Sequence, residues 1–273
     1  MLLLLYNNSV FIIKWRRDKN MIEEVIKLYK EKTKKECYKI EIEEDVTPDI
    51  LDDKIGGIPY LPVGEEYPVD KNNNPMILLI QINLENIKLE DYPKEGILEI
   101  FIDKECSWPL DYKIKYFKNI LEYRTDFTEI DFKNDFYKQP LKIKLTKDVE
   151  HMPLSDYRFA DVMSETIKEA TGIEVNNYSE VEDFFEKNGY DMYDEIYRLN
   201  IFPGNLSGYA DFTQEDPRPI KNAEDRVECF IKIDSNLGHG IVIGDSGIIF
   251  SFISKEDIKS RNFENAIVDW DCC

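Results

Sequence analysis

Histidine and cysteine are scarce in this sequence, with two histidines and five cysteines among 273 residues. No two cysteines have the CxxC spacing, and none stands at a metal-ligand spacing from a histidine, so a zinc site is not expected. An odd number of cysteines also argues against a disulfide-stapled secreted protein. We predict a cytoplasmic protein with no metal and no cofactor. The five cysteines are Cys37, Cys106, Cys229, Cys272 and Cys273.

Glycine and proline are also few, at 12 residues each, whereas 42% of the residues are hydrophobic and 33% are charged. This composition excludes collagen-like repeats and is unlike that of disordered chains or coiled coils. A chain of this length predicts one or two domains and buries enough apolar surface for a real core.

Positive charge is in deficit, because 35 Lys and Arg residues face 55 Asp and Glu residues, a net charge of −20. Residues 155–200 alone carry 12 acidic and 4 basic side chains. Such a chain repels nucleic-acid phosphates and anionic lipids, since no segregated basic patch is visible. We therefore expect neither nucleic acid nor membrane as a partner, whereas a basic protein fits this charge.

Residues 1–20 contain two short apolar runs that precede their basic residues, which is the reverse of a signal peptide. Neither run reaches the roughly 20 residues that span a bilayer. From Met21 onward, apolar residues recur at helical spacing. We predict that residues 1–20 are a non-native start extension or disordered, with a peripheral hydrophobic anchor as the alternative.

Apolar and alternating segments predict a β-rich α+β fold with mostly antiparallel sheets and peripheral helices. Residues 54–75 are rich in Gly, Pro and Asn and indicate a folded loop, and residues 155–200 indicate helices, including one at 179–187. Ser254 and Asp257 predict the start of a final helix. The predicted strands are residues 38–43, 76–82, 97–102, 108–117, 141–145, 227–233, 240–243 and 248–253.

A shift of 151 residues superposes residues 57–105 on 208–256 without a gap, and 10 of the 49 positions are identical. Chance similarity of β-rich stretches explains matching isoleucines, but not Gly and Pro aligned at fixed spacing. We therefore predict a single domain over residues 21–273 with an internal pseudo-twofold repeat, its β halves covering about 21–150 and 151–273. The aligned glycines and prolines are Gly57 with Gly208, Pro68 with Pro219, and Gly96 with Gly247.

Several short motifs stand in a fixed order along the chain: Gly56–Pro62, Leu79–Asn83, Gly96–Leu98 with Phe101–Ile102, Gly208–Gln214, Gly244–Gly247 and Asp269–Cys272. Together they resemble the YwqG-like family of bacterial proteins, a domain of unknown function. The resemblance spans nearly all of residues 21–273 and implies a β-rich α+β fold without established enzymology. Some relatives are similar to proteins encoded beside polymorphic toxins, which implies an immunity role by analogy.

Polar and aromatic residues in the two Gly/Pro loops, in one turn and near the end of the sequence are candidates for binding a partner or ligand, because irregular backbone can aim several side chains at one point. For each, hydrogen bonding within its own loop or burial in the core is the alternative. No calcium-loop spacing is present. The candidates are Gly57, Pro59, Tyr60, Gln81, Tyr209, Asp211, Gln214, Asp216, Arg218, Asp245, Trp270 and Asp271.

Residues 244–247 superficially resemble the loop around a serine-protease nucleophile, but His239 stands only seven residues before Ser246, which leaves no place for a separately held base. No catalytic residue is therefore assigned. We predict an acidic protein-binding module, with neutralisation of a basic toxin domain as one role. The alternative is a small-molecule or metal-dependent enzyme that uses loops 57–70 and 208–219, so a small-molecule ligand stays open. A structural subunit is a third hypothesis.

Overall fold

A computed structural model describes residues 21–199 and 201–273 of the chain. The described residues form two compact units. One is helical and contains the described residues up to Lys35 and those from Glu150 to Ile201, and the other contains Glu36–Val149 and Phe202–Cys273. Among the described residues, no helix combines the length and apolar character needed to cross a membrane. The prediction made for residues 1–20 lies outside the described residues.

The helical unit contains four helices, each with an apolar side in its interior. In the third helix, the predicted apolar residues Val181, Phe184 and Phe185 are buried, and the Asn177 side chain accepts the N–H of Glu180 as the N-cap. The helix predicted at 179–187 is therefore confirmed. The helices are α1 (residues 21–33), α2 (Phe159–Thr171), α3 (Tyr178–Lys187) and α4 (Met192–Tyr197).

The second unit is built on a β-rich antiparallel sheet, which confirms the predicted fold class at this level. Ten strands follow the order β10-β9-β8-β7-β1-β6-β2-β3-β4-β5. A short helix, α5 (Lys255–Ser260), has Ser254 as its N-cap, and the Ser254 side chain accepts the N–H of Asp257 as predicted. The strands are β1 (Lys35–Ile42), β2 (Lys54–Ile55), β3 (Ile77–Asn83), β4 (Ile97–Ile102), β5 (Tyr112–Phe117), β6 (Leu141–Glu150), β7 (Gly204–Leu206), β8 (Glu228–Asp234), β9 (Ile248–Ile253) and β10 (Ile267–Asp271).

Side-chain alternation along the strands divides the apolar residues between the two faces of the sheet. In β4, Leu98, Ile100 and Ile102 enter the main core, whereas Phe101 packs on the opposite face with Leu78. All of these side chains are almost fully buried. Burial of one such side chain stabilises the fold by roughly 1.5–3 kcal/mol.

Three predicted segments differ in the structure. The strand predicted at 108–117 begins only at Tyr112, and residues 108–111 are irregular, since Pro109 has no N–H to donate to a neighbouring strand. The strand predicted at 240–243 is absent: residues 240–243 form turn and irregular structure, and Gly240 has a φ of +84°. The end of the sequence, interpreted as an acidic and aromatic tail, forms β10 and pairs antiparallel with β9 over five residues. The alternation of Val268 and Trp270 with Asp269 and Asp271 is the pattern of a half-buried strand, and backbone pairing with β9 stabilises it.

Elements in the two parts of the sheet unit share the same bounds after the 151-residue shift. Strands β3 and β4 lie at 77–83 and 97–102, and strands β8 and β9 lie at 228–234 and 248–253. A 3₁₀ turn follows β3 at residues 84–86 and another follows β8 at 235–237. Each Gly/Pro loop therefore precedes a strand, a turn and a strand of matching length.

Candidate functional site

A cavity of about 560 Å³ lies beside β10 in the sheet unit. Strand alternation places Trp270 against the main core, whereas Asp269 and Asp271 lie on the opposite face of β10. In the sheet register, Asp269 pairs with Phe250 of β9. We call this cavity the aromatic–acidic groove. Its lining includes two indoles, three carboxylates and one ammonium group, from Trp108, Trp270, Glu215, Asp269, Asp271 and Lys221.

Asp271 ties the second Gly/Pro loop to β10. Its Oδ2 accepts the backbone N–H groups of Thr213 at 3.0 Å and of Gln214 at 3.1 Å, and the Gln214 side chain donates to the carbonyl of Cys272 at 2.7 Å. The other carboxylate oxygen, Oδ1, is buried and has no hydrogen-bond partner in the described structure. Burial raises the pKa of Asp271, and the charge of Asp211 adds to this rise, while the two N–H donors oppose it. A cation in the groove would stabilise the ionised form.

The two indoles meet edge to face, with ring centroids 6.3 Å apart and an angle of 78° between the planes. The Trp270 indole N–H donates to the carbonyl of Ser107 at 3.3 Å, which fixes that ring. Trp108 is 70% exposed and Ile220, which also lines the groove, is 72% exposed. Aromatic side chains are enriched in protein interfaces, so the exposed indole makes this groove a candidate contact surface.

Asp216 and Arg218 form a buried ion pair in the second Gly/Pro loop, with each side chain 3% exposed. The guanidinium donates to both carboxylate oxygens, with an Nη2 to Oδ2 distance of 2.6 Å, and lies 4.6 Å from the centroid of the Phe252 ring. Pro217, between the two, lines the groove. Their opposite charges therefore compensate each other, and the pair fixes the loop that carries Gln214.

The candidates from the first Gly/Pro loop are bonded within the interior and do not line the groove. The Gln81 side chain accepts the N–H of Tyr60 at 2.8 Å and donates to the carbonyls of Ile50 and Asp52. The Tyr60 hydroxyl accepts the N–H of Leu121 at 2.8 Å. These side chains hold the loop against the sheet.

Two further first-loop candidates, Gly57 and Pro59, are also buried. The N–H of Gly57 donates to the Tyr137 hydroxyl at 3.1 Å. Gly57 and Tyr137 line a separate cavity of about 450 Å³ that shares none of its lining residues with the aromatic–acidic groove. The structure therefore does not bring the two Gly/Pro loops into one site.

The remaining candidates surround the groove or lie away from it. Tyr209 is buried, and its carbonyl accepts the Asn205 side-chain N–H at 2.9 Å. Asp211 is half-buried and acts on the groove through its charge near Asp271. Asp245 is exposed in the turn before β9, where its carbonyl accepts the N–H of Cys273.

Sequence reasoning missed seven residues of the groove: Trp108, Glu215, Pro217, Ile220, Lys221, Phe250 and Asp269. Lys221 forms an ion pair with Asp269, which is 6% exposed as a side chain. Apolar or charged residues scattered in loops give no sequence signal of their own, since only the fold brings them together. In the described residues no group of three or more His, Cys, Asp or Glu side chains is arranged to hold a metal ion.

A buried polar row on β2, β3 and β4 was also missed. Lys54 pairs with Gln81 in the sheet register, and Gln81 pairs with Glu99. The Lys54 ammonium donates to the carbonyls of Asp49 and Ile50, and burial lowers its pKa to about 8. Both Glu99 oxygens are buried without a hydrogen-bond partner, and this burial raises the pKa of Glu99 well above its ordinary value.

A protein-family model described as Domain of unknown function (DUF1963) matches residues 53–272. The matched range contains both Gly/Pro loops, the buried polar row and the whole lining of the groove. A comparison with curated proteins found no match to the chain.

Proposed function

The chain belongs to this family of unknown function, and we propose that it is an acidic protein-binding module whose aromatic–acidic groove contacts a basic protein. One observation carries the proposal: two indoles and three carboxylates, against one ammonium group, line a groove on a chain of net charge −20. Trp108 supplies an exposed aromatic anchor of the kind that dominates interface energies.

The charge of the chain serves this function in two ways. A net negative surface raises the rate at which a basic protein is encountered, and it excludes acidic competitors by repulsion. Once the partner is close, the groove supplies a partly desolvated carboxylate at Asp271, where a positive charge interacts more strongly than on an open surface. Long-range charge therefore raises the rate of association, and the groove lowers the rate at which the bound partner dissociates.

We further propose that the protein is a YwqG-like, immunity-type protein that neutralises a basic toxin domain in the cytoplasm. The motif resemblance and the negative charge support this proposal. We also propose that the two β halves arose by duplication of one unit, because β3, its 3₁₀ turn and β4 have the same lengths and spacing as β8, its turn and β9. The alternative of a small-molecule or metal-dependent enzyme draws less support, since Asp216 and Arg218 bond each other in the interior.

Affinity capture from the native cytoplasm tests the proposal when the bait is compared with three variants. Trp108→Ala removes the groove's exposed indole, Tyr197→Ala removes an aromatic ring that is 82% exposed in the helical unit, and a charge-reversed variant alters residues 155–200. We expect to capture a basic protein with the original chain and with the Tyr197→Ala control. Its binding should weaken at moderate salt, and Trp108→Ala should not capture it. Retention of the same protein by Trp108→Ala would contradict a role for the groove.

A further inference from the structure

We propose that the aromatic–acidic groove takes an arginine side chain presented by an extended segment of the partner. This inference deepens the proposed function and rests on it. Three features of the sheet unit carry the inference: what covers the first Gly/Pro loop, which charges in the groove lack a counter-ion, and how this chain holds its own basic side chains.

A segment of the chain itself covers the first Gly/Pro loop. The N–H of Arg124 donates to the carbonyl of Leu61 at 2.9 Å, and the N–H of Val63 donates to the carbonyl of Glu122 at 3.0 Å. Tyr123, between these two bonds, packs edge to face on Tyr60 at 5.7 Å. The following aromatic rings, Phe127 and Phe132, pack on Tyr67. An extended aromatic segment that carries an arginine thus completes this loop.

The loop beside the groove occupies the corresponding place in the second part of the sheet. The 151-residue shift maps Val63 onto Gln214, which lines the groove. Gln214 gives its N–H to the Asp271 carboxylate, whereas Val63 gives its N–H to a backbone carbonyl of the covering segment. Among the described residues, Trp108 and Ile220 at the groove stay exposed. Val63 and Leu121 at the first loop are also exposed, at 64% and 61%, so exposure alone does not distinguish the two loops. The groove differs because its exposed indole lies in the same cavity as carboxylates, and we infer that a segment from another protein packs there.

The charges in the groove favour a cation. Lys221 pairs with Asp269, and in the described part of the chain no ion pair joins Asp271 or Glu215 to a basic side chain. The Asp271 carboxylate is satisfied on one oxygen only. A positive group in the groove would compensate this charge where solvent is partly excluded.

Basic side chains elsewhere in the chain show which groups hold a cation. Arg218 stacks on Phe252 and bonds Asp216 with a guanidinium fork. Arg124 lies 4.6 Å from the centroid of the Phe127 ring and pairs with Glu129. Lys115 does the same, since its ammonium lies 5.8 Å from the centroid of the Phe117 ring and pairs with Glu65. In each place one cation uses an aromatic face and a carboxylate together, and the groove offers both. A planar, weakly hydrated guanidinium stacks on an indole and bonds a carboxylate at once, which the compact ammonium of lysine does less well.

Three blocked pentapeptides that differ only at the central residue test this inference. The central residue is Arg, Lys or Gln, and each peptide is titrated into the ¹⁵N-labelled full chain while the indole N–H signals of Trp108 and Trp270 are followed. We expect the Arg peptide to shift both signals and to bind about twofold to fivefold more tightly than the Lys peptide. The Gln peptide should cause no shift.

Variants separate binding in the groove from binding elsewhere. Trp108→Ala and Asp271→Asn should each weaken the Arg peptide about twofold to thirtyfold, and Tyr197→Ala should leave its affinity unchanged. Because Trp108 is mostly exposed, its variant keeps the fold even if Asp271→Asn does not.

The other possible results show whether the arginine inference alone fails or the proposed function fails with it. Equal affinities for Arg and Lys peptides that do not respond to Trp108→Ala overturn the arginine inference and leave acidic-surface binding in place. If a basic protein is captured but no peptide shifts the indole signals, the arginine inference is overturned and acidic-surface binding stays in place. No peptide shift together with no captured partner overturns both.

Discussion

The buried carboxyl group of Glu99 leads to a prediction opposite in sign to most core substitutions. Glu99 is 0% exposed, and neither side-chain oxygen has a hydrogen-bond partner. Replacing it with glutamine keeps the shape of the side chain and removes the ionisable group. We expect Glu99→Gln to stabilise the protein at neutral pH by about 1–3 kcal/mol, because the desolvation of the buried charge outweighs its attraction to the Lys54 ammonium, which the substitution also removes.

The pH dependence follows from the direction of the pKa shift. Since burial raises the pKa of Glu99 in the folded state above its ordinary value of 4.5, the folded protein holds the proton more tightly than the unfolded chain. Below the unfolded pKa both states are protonated and the charge costs nothing. Above it, the cost grows by about 1.4 kcal/mol per pH unit until the folded pKa is reached, and is then constant. The advantage of Glu99→Gln should therefore increase with pH from about pH 4.5 upward.

Urea denaturation at several pH values between 4 and 8 measures this difference. The matched control is Glu224→Gln, which removes the same group from an exposed position. A loss of stability in Glu99→Gln at neutral pH would refute the reasoning. A difference from the original protein that stays constant across this pH range would refute it as well.

The remaining predictions concern the second loop and one glycine. Arg218→Met should destabilise the protein by about 3–5 kcal/mol, because it leaves Asp216 buried without its partner. Adding Asp216→Leu should recover most of this loss in the same urea assay, and no recovery would argue against the pair as the cause. Gly56→Ala should cost about 2–4 kcal/mol, since φ is +73° and the new Cβ would stand 2.3 Å from the ring of Tyr137. Gly189→Ala, with φ +80° and open space, is the control and should cost about 1 kcal/mol.

The strands of the main core could be predicted because their sequences are continuous apolar runs. Ile97–Ile102 and Ile248–Ile253 were predicted with the bounds that the structure has. The helix around Val181 and Phe185 could be predicted for a similar reason, since its apolar residues recur at helical spacing. Local pattern is sufficient for such elements because the two strands are buried on both faces and the helix is buried on one.

The site could be predicted only in part, because it depends on contacts between distant residues. The predicted residues Gln214, Trp270 and Asp271 do line the groove. The missed residue Trp108 reaches them through a loop whose carbonyl at Ser107 meets the Trp270 indole across 163 residues of sequence. In contrast, Tyr60 combines aromatic and polar groups as a binding residue would, yet it is fully buried and holds its own loop. Composition does not distinguish these two roles.

The most direct test of the binding function is the dissociation constant of the captured basic partner for the original chain, Trp108→Ala and Tyr197→Ala at two salt concentrations. The groove account predicts a loss of affinity of about thirtyfold or more for Trp108→Ala, as for an interface anchor, and no change for Tyr197→Ala. It also predicts weaker binding at the higher salt concentration for all three chains. Equal affinities for the original chain and Trp108→Ala would contradict the account.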